Sequence, residues 1–280
     1  MENLTEKFGS DEDNLSVNVT VFDVGFGDSI YVKFKNGNKE KSFLIDCGTA
    51  RAISKKLAFL RSEGVDYIIL THKHSDHIGG VKKVVEDEDI NVKGIILRDD
   101  DWAGVVSRSA EKLKKLIDDN VVPHYVLTDD KAKKELESFK ILYPINVEDE
   151  NSNIYRVYNN PNKNSIALAL DVGREKILLM ADATETEENF IIKNSKMDFT
   201  KVKYVKLGHH GSNTSTGANF VRCIGNEKNR VGIVSCNGSN SHPPHKEYIE
   251  EIWRSRLMYT ENGSEKGDIE IDECGARKLE

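Results

Sequence analysis

The sequence predicts an α/β fold of two mixed β-sheets packed face to face, with helices on the outer faces. Three observations predict it. Short strand patterns punctuated by glycine turns fill both halves of the chain. Helical patterns are interspersed among them. Some strands are apolar at every position, as Tyr67-Ile68-Ile69-Leu70 is, which marks a buried strand. Strands and helices in this mixture bury their apolar faces by stacking in layers.

The elements follow in order. Residues 1–16 are polar and acidic and read as a flexible lead-in; a single domain is expected over 17–275. Residues 17–22 alternate apolar and polar at period two, as a half-buried strand does. Asp23-Val24-Gly25-Phe26-Gly27-Asp28 is a glycine turn, with Asp23 read as a structural flank and Asp28 either as another or as a residue at the edge of a functional site. Residues 29–35 form a second strand, Asn36-Gly37 a hairpin turn, and 42–46 a third strand ending at Cys47-Gly48. The first third is therefore an antiparallel meander.

Residues 52–63 carry helical spacing at Ile53, Leu57 and Leu60, closed by Gly64. The buried strand over 66–71 follows, then a loop and helix through 81–85, and a strand over 92–97. Residues 105–140 read as mostly helical, interrupted near Pro123, with His124 as a packing or surface residue. In the second half, strands over 165–171 and 176–181 pair across Gly173. A helix over 184–194 starts at the N-cap Thr184 with Glu187 three residues on. Strand 201–207, helix 216–224, strand 231–235, helix 245–254 and late strands at 257–260 and 268–271 complete the series.

The chain has 280 residues, enough for a well-buried core, and a net charge of −7. That charge gives no global basic footprint for gripping nucleic acid, so any such substrate is attracted locally. Cys47, Cys223, Cys236 and Cys274 are widely spaced and form no CxxC pair, which argues against a disulfide framework. With no signal-peptide pattern and no apolar run of membrane-spanning length, the expected compartment is the cytoplasm.

One segment concentrates the chemistry. Three of the eight histidines fall within the six residues His72 to His77, directly after the buried strand. Residues two apart at a strand end share a face, so His72 and His74 can converge on one cation. After the turn, Asp76 and His77 come back toward the same point and can hold a second. Imidazole and carboxylate suit zinc, manganese or iron(II). Gly79-Gly80 lets the backbone fold tightly against the site.

His-x-His-x-Asp-His after a buried strand resembles the signature of the metallo-β-lactamase superfamily, whose fold is an αββα sandwich. The resemblance extends to Asp46 in Phe43-Leu44-Ile45-Asp46, to Asp182 in Met180-Ala181-Asp182, and to His209-His210 followed by Gly211-Ser212. It implies that Asp46 orients a ligand histidine, that Asp182 bridges two divalent metals (zinc or manganese), and that His209 or His210 is the late ligand of the second metal. The Asp-Val-Gly-x-Gly-Asp turn, Asn164-Ser165-Ile166-Ala167-Leu168, His-His-Gly-Ser and His242-Pro243 together resemble the metallo-β-lactamase-like domain of ComEC-type competence proteins. The likeness spans about residues 17–271.

Two departures matter. The family's third metal-binding histidine is absent, and Asn162-Lys163-Asn164-Ser165 stands in its place. The first metal is then left with His72, His74 and Asp182. The membrane channel that accompanies this domain in competence proteins is also missing, so DNA uptake itself is not expected of this chain.

The resemblance implies hydrolysis through a metal-bridging hydroxide held by Asp76 and Asp182. Asn164, Ser165 and Ser212 are the expected substrate contacts. Gly211-Ser212-Asn213-Thr214-Ser215 reads either as a phosphate cradle or as a simple capping loop. His242 reads either as a catalytic proton donor to the leaving oxygen or as part of a turn set by Pro243-Pro244. The acidic run Asp99-Asp100-Asp101-Trp102 reads as a surface loop near the cleft. The leading functional expectation is a phosphodiesterase acting on DNA. The alternatives are a lactone, ester or β-lactam hydrolase using the same site, and a metal-binding regulatory protein with a weakened one.

Overall fold

The computed structural model describes residues 15–102, 107–144, 158–225, 228–237 and 243–279. The lead-in over 1–14 and His242 lie outside the described residues. The first half runs β1 (Leu15–Val21), β2 (Ile30–Asn36), β3 (Lys39–Ile45), α1 (Ala50–Ile53), α2 (Leu57–Glu63), β4 (Tyr67–Leu70), α3 (Ser75–Ile78), α4 (Val81–Val85), β5 (Gly94–Leu97), α5 (Arg108–Asp118), β6 (His124–Val126) and α6 (Asp130–Glu135). The second runs β7 (Lys140–Tyr143), β8 (Ala167–Val172), β9 (Glu175–Leu179), α7 (Glu185–Asn194), β10 (Val202–Lys206), α8 (Ala218–Cys223), β11 (Val231–Val234), α9 (Lys246–Trp253), β12 (Arg256–Tyr259), β13 (Glu261–Asn262), β14 (Glu265–Lys266), β15 (Ile269–Asp272) and β16 (Gly275–Lys278).

Two large sheets result, ordered β16-β15-β1-β2-β3-β4-β5-β6 and β12-β11-β10-β9-β8-β7. Each has an antiparallel part and a parallel part. In the first sheet β1 to β3 form the expected meander, and β3 through β6 are parallel. In the second, β7 to β9 are antiparallel and β9 through β12 parallel.

Alternating side chains fill three apolar layers. Ile69, Val19 and Ile30 of one sheet meet Leu168, Ile177 and Tyr204 of the other between the sheets. Ile68 and Leu70 face outward under Ile53, Leu60, Val84 and Leu113 of the first sheet's helices. Leu178 and Val205 face outward under Ile191, Phe220 and Trp253. Both faces of the central strands are covered, which is why their sequences are apolar throughout.

The structure corrects several expectations. The stretch 105–140 is not mostly helical, because His124–Val126 pairs in parallel with β5 and Lys140 opens a strand against β8. Pairing with a waiting sheet edge outweighs local propensity there. The helix expected over 52–63 is broken into α1 and α2. Ser54 Oγ donates to the Ala50 carbonyl at 2.7 Å, and Lys55 and Lys56 bond back only three residues. The capping box of Thr184 and Glu187 forms as expected.

Candidate metal centre

Parallel strands place their carboxyl ends on one edge, where ligands to α/β sheets gather. Asp46 follows β3, the histidine segment follows β4, Asp182 follows β9 and His209-His210 follow β10. The Ile166 amide donates to the Thr71 carbonyl at 3.0 Å, tying the two sheets together at this edge. Four non-glycine residues here, Asp46, Ala181, His209 and His210, hold φ angles of 57°, 47°, 45° and 54°. Such backbone costs roughly 1–3 kcal/mol each and is tolerated where the surrounding packing dictates it.

Four overlapping donor groups lie here among the described residues; Asp28 enters two of them, with Asp46 and His77 and with Asp182 and His210, and the two without Asp28 meet at Asp182. His72, His74 and Asp182 form the first; Asp76, His77 and His210 form the second, with Asp182 against it. Asp182 Oδ2 lies 3.6 Å from His72 Nε2, and His72 Nε2 lies 3.0 Å from His74 Nδ1. Asp182 Oδ1 lies 3.3 Å from His77 Nε2 and 3.4 Å from His210 Nε2. Asp76 Oδ2 completes the second group, 3.3 Å from His210 Nε2 and 3.7 Å from His77 Nε2.

These donors fit divalent cations. Asp182 Oδ1, His77 Nε2 and His210 Nε2 are buried and have no hydrogen bond among the described residues. Two donors each about 2.1 Å from a tetrahedral zinc ion stand about 3.4 Å apart, which is the spacing found.

The rings are held from behind. His77 Nδ1 donates to Asp46 Oδ2 at 2.6 Å, and Asp46 also accepts from the Thr71 amide and hydroxyl at 2.8 and 2.6 Å. His210 Nδ1 faces Asp28 Oδ1 at 3.4 Å. The sequence leaves Asp28 as a structural flank of its turn or a site-edge residue; the fold sets it behind a site histidine. Gly27 is required there. Its φ is 121°, and a Cβ would sit 2.1 Å from the Asp76 carbonyl oxygen. Gly80 is likewise pressed to within 2.2 Å of the Cys47 carbonyl, measured from an added Cβ.

Charge is strongly coupled here. Burial works against a proton on His77, but the carboxylates of Asp182 and Asp46 outweigh it and hold the imidazolium well above its usual range. Burial also opposes the charge on His210, while Asp182 and Asp28 lift its pKa to about 9. Burial disfavours the Asp182 carboxylate, yet His210 and His77 hold its pKa well below the ordinary value. Burial, then the charge of His77, pushes His72 well down, leaving it a neutral donor. The second group thus carries protons where a cation would sit, and the two compete.

His209 and His210 separate. His210 is buried in the second group. His209 stands at the rim, its Nε2 3.9 Å from Asp182 Oδ2 and its Nδ1 3.0 Å from Thr214 Oγ1. His209 belongs to none of the donor groups found among the described residues.

The expected substrate contacts are placed differently. Ser165 is fully buried and its hydroxyl accepts from the Asp182 amide at 3.2 Å. Asn164 is held at both ends of its amide by the Tyr158 backbone. Ser212 is buried with its hydroxyl against Thr214. The amides of Ser212, Asn213, Thr214 and Ser215 all have partners within the fold.

Asn162 reaches the site instead: its Nδ2 lies 3.4 Å from His209 Nε2. The acidic run is tied to the histidine segment, since Lys73 Nζ donates to Asp99 Oδ1 at 2.7 Å beneath the Trp102 ring. Sequence reasoning missed Lys206. It is fully buried and donates to Asp28 Oδ2 at 2.5 Å. Its one visible sign was a lysine at the end of a strand whose neighbouring Tyr204 and Val205 are apolar.

Comparison with known proteins agrees with this geometry. The chain is 25% identical over 261 residues to ComE operon protein 3 of Bacillus subtilis (strain 168), covering 85% of this chain and 31% of that protein. It is 28% identical over 242 residues to competence protein ComA of Neisseria gonorrhoeae, covering 85% of this chain and 29% of the relative. The chain thus spans about a third of the length of the curated relatives it matches. The solved structure of Tm1679, a metal-dependent hydrolase of the beta-lactamase superfamily, superposes with a TM-score of 0.50 at 14% identity, covering 87% of this chain and 95% of that one. The family model for the metallo-beta-lactamase superfamily matches residues 22–259, which include every donor of both groups, and the chain belongs to that superfamily.

Proposed function

We propose that this chain is a metal-dependent phosphodiesterase that cleaves nucleic acid, with DNA as its first candidate substrate. The observation that carries the reading is the position of Asp182, whose two oxygens face different donor groups: Oδ2 toward His72, Oδ1 toward His77 and His210. A carboxylate shared in this way is suited to a pair of ions. Divalent cations held there supply charge to a phosphodiester and an activated water nucleophile. One curated relative is named as a competence protein, which favours DNA as the first candidate substrate.

The chain's own residues define the rest. Asp46 and Asp28 back His77 and His210, turning each Nε2 toward the centre. His209, anchored on Thr214, presents Nε2 at the rim beside Asn162, where a phosphate oxygen can be met. No cysteine among the described residues is in a disulfide, in keeping with the cytoplasm as the proposed compartment. Among the described residues no helix is long and apolar enough to cross a membrane.

The test compares bis(p-nitrophenyl) phosphate and plasmid DNA with a lactone and nitrocefin, in Mn²⁺ or Zn²⁺. Phosphodiester cleavage that disappears in His74→Ala and Asp182→Ala is expected. Intact plasmid alongside lactone cleavage refutes the proposal.

A further inference from the structure

The strand β10 ends in a charge that lies between the two sheets. Tyr204 of this strand faces the layer between the sheets and Val205 the helix layer, so alternation turns Lys206 back between the sheets. There it is fully buried and meets Asp28, 178 residues away on the other sheet's first turn, at 2.5 Å. Asp28 is itself 1% exposed. Lys206 takes Oδ2, which leaves Oδ1 toward His210 Nδ1 at 3.4 Å. Asp28 Oδ1 and His210 Nδ1 are both buried and have no hydrogen bond among the described residues, so each is the group the other is placed to meet. The Phe26 ring packs on the His210 ring at 4.8 Å, closing the same turn over it.

We propose that Lys206 is a positioning residue for the second metal group: it anchors one oxygen of Asp28 so that the other holds the His210 ring with Nε2 toward the centre. The inference rests on the two-metal reading above. Two limbs then differ in kind. Asp46, behind His77, is anchored by the neutral Thr71. Asp28, behind His210, is anchored by a buried cation. A buried carboxylate left without its partner is strongly disfavoured, so removing Lys206 alone disturbs Asp28 and through it His210. An asparagine at position 28 still offers a carbonyl oxygen to His210 and needs no cation beside it. The loss should therefore be repaired by removing both charges together.

The experiment is calorimetric titration of the full chain, freed of metal, with Mn²⁺ alone, with thermal unfolding of each apo protein in parallel. Wild type is expected to bind two equivalents. In K206M and in D28N the second equivalent should weaken by about 10–100-fold, the usual effect of removing a ligand's supporting partner. The D28N/K206M pair should bind it more tightly than either single variant. Unchanged binding of both equivalents by K206M overturns the role of Lys206. So does a double variant that binds no better than the single ones, whatever its melting temperature. Should K206M not fold, D28N/K206M is compared with D28A/K206M, which keeps no acceptor for His210. Equal loss of the second equivalent in the two overturns the inference. A wild-type chain that binds fewer than two equivalents instead refutes the two-metal reading itself.

Discussion

Asp46 accepts from His77 Nδ1 and from the Thr71 hydroxyl at 2.6 Å each, while its other oxygen takes the Thr71 amide at 2.8 Å. The carboxylate is fixed at both oxygens, and it fixes the tautomer and tilt of a metal-facing ring. Asp46→Ala should lower affinity at the second donor group by about 10–100-fold. Competition against a chromogenic chelator measures it; an unchanged affinity would show that His77 needs no support from behind.

The neighbouring histidines should separate by experiment as they do in space. His210→Ala is expected to lose one bound metal equivalent, read by elemental analysis after gel filtration. His209→Ala should keep both equivalents and lose turnover on a phosphodiester by about 100-fold, the scale of removing one donor aimed at developing charge. Loss of metal from His209→Ala would move it into the donor set.

Glu188 is buried on α7 and accepts from the Thr216 and Gly217 amides at 2.6 and 2.8 Å. Burial raises its pKa from 4.5 to about 7, against the pull of those two amides, with Glu185 and Glu187 adding to the rise. The native state therefore binds more protons than the unfolded chain between those values. Stability from this group is present below pH 4.5 and falls as pH rises toward 7, by about 3 kcal/mol in all. Urea unfolding of the metal-free protein across this range should show a difference between wild type and Glu188→Gln that changes with pH in that direction. A constant difference would mean that Glu188 does not titrate there.

Gly27 and Gly37 both hold positive φ, 121° and 57°, but only Gly27 is crowded. Gly27→Ala should destabilise by more than about 1 kcal/mol and weaken metal binding, because the added carbon displaces Asp76. Gly37→Ala, with nothing within 4 Å of an added Cβ, should cost only the backbone term and leave metal binding alone. Melting temperatures with and without Mn²⁺ separate the two; equal metal-induced shifts would disprove the link.

Much of this was legible in the chain. Period-two strands, glycine turns and the run of Tyr67 to Leu70 predicted the layered sheets, and the histidine segment lay directly after one of them. Donors grouped locally, His72 through His77, are visible because a single turn joins them. The Lys206–Asp28 contact is not, since its partners are 178 residues apart and meet only when the sheets stack. Ser165 and Asn164 are expected substrate contacts from sequence, whereas the fold uses both to hold backbone and turns Asn162 to the site. His124–Val126 and Lys140–Tyr143 became strands through pairing that no local pattern encodes.

The first strand is flanked by one of the last: β15 pairs with β1, and Asn18 bonds Glu270 across 252 residues. Asp268 at its start takes the Asp23 amide at 2.7 Å and Lys56 at 2.6 Å, gripping the base of the turn that carries Asp28. During synthesis, that turn has no such grip until residue 268 has left the ribosome, although every donor in the sequence up to His210 has already emerged. Contacts this distant form late. The turn that sets Asp28 behind His210 is therefore fixed only once the far end of the fold has closed on it.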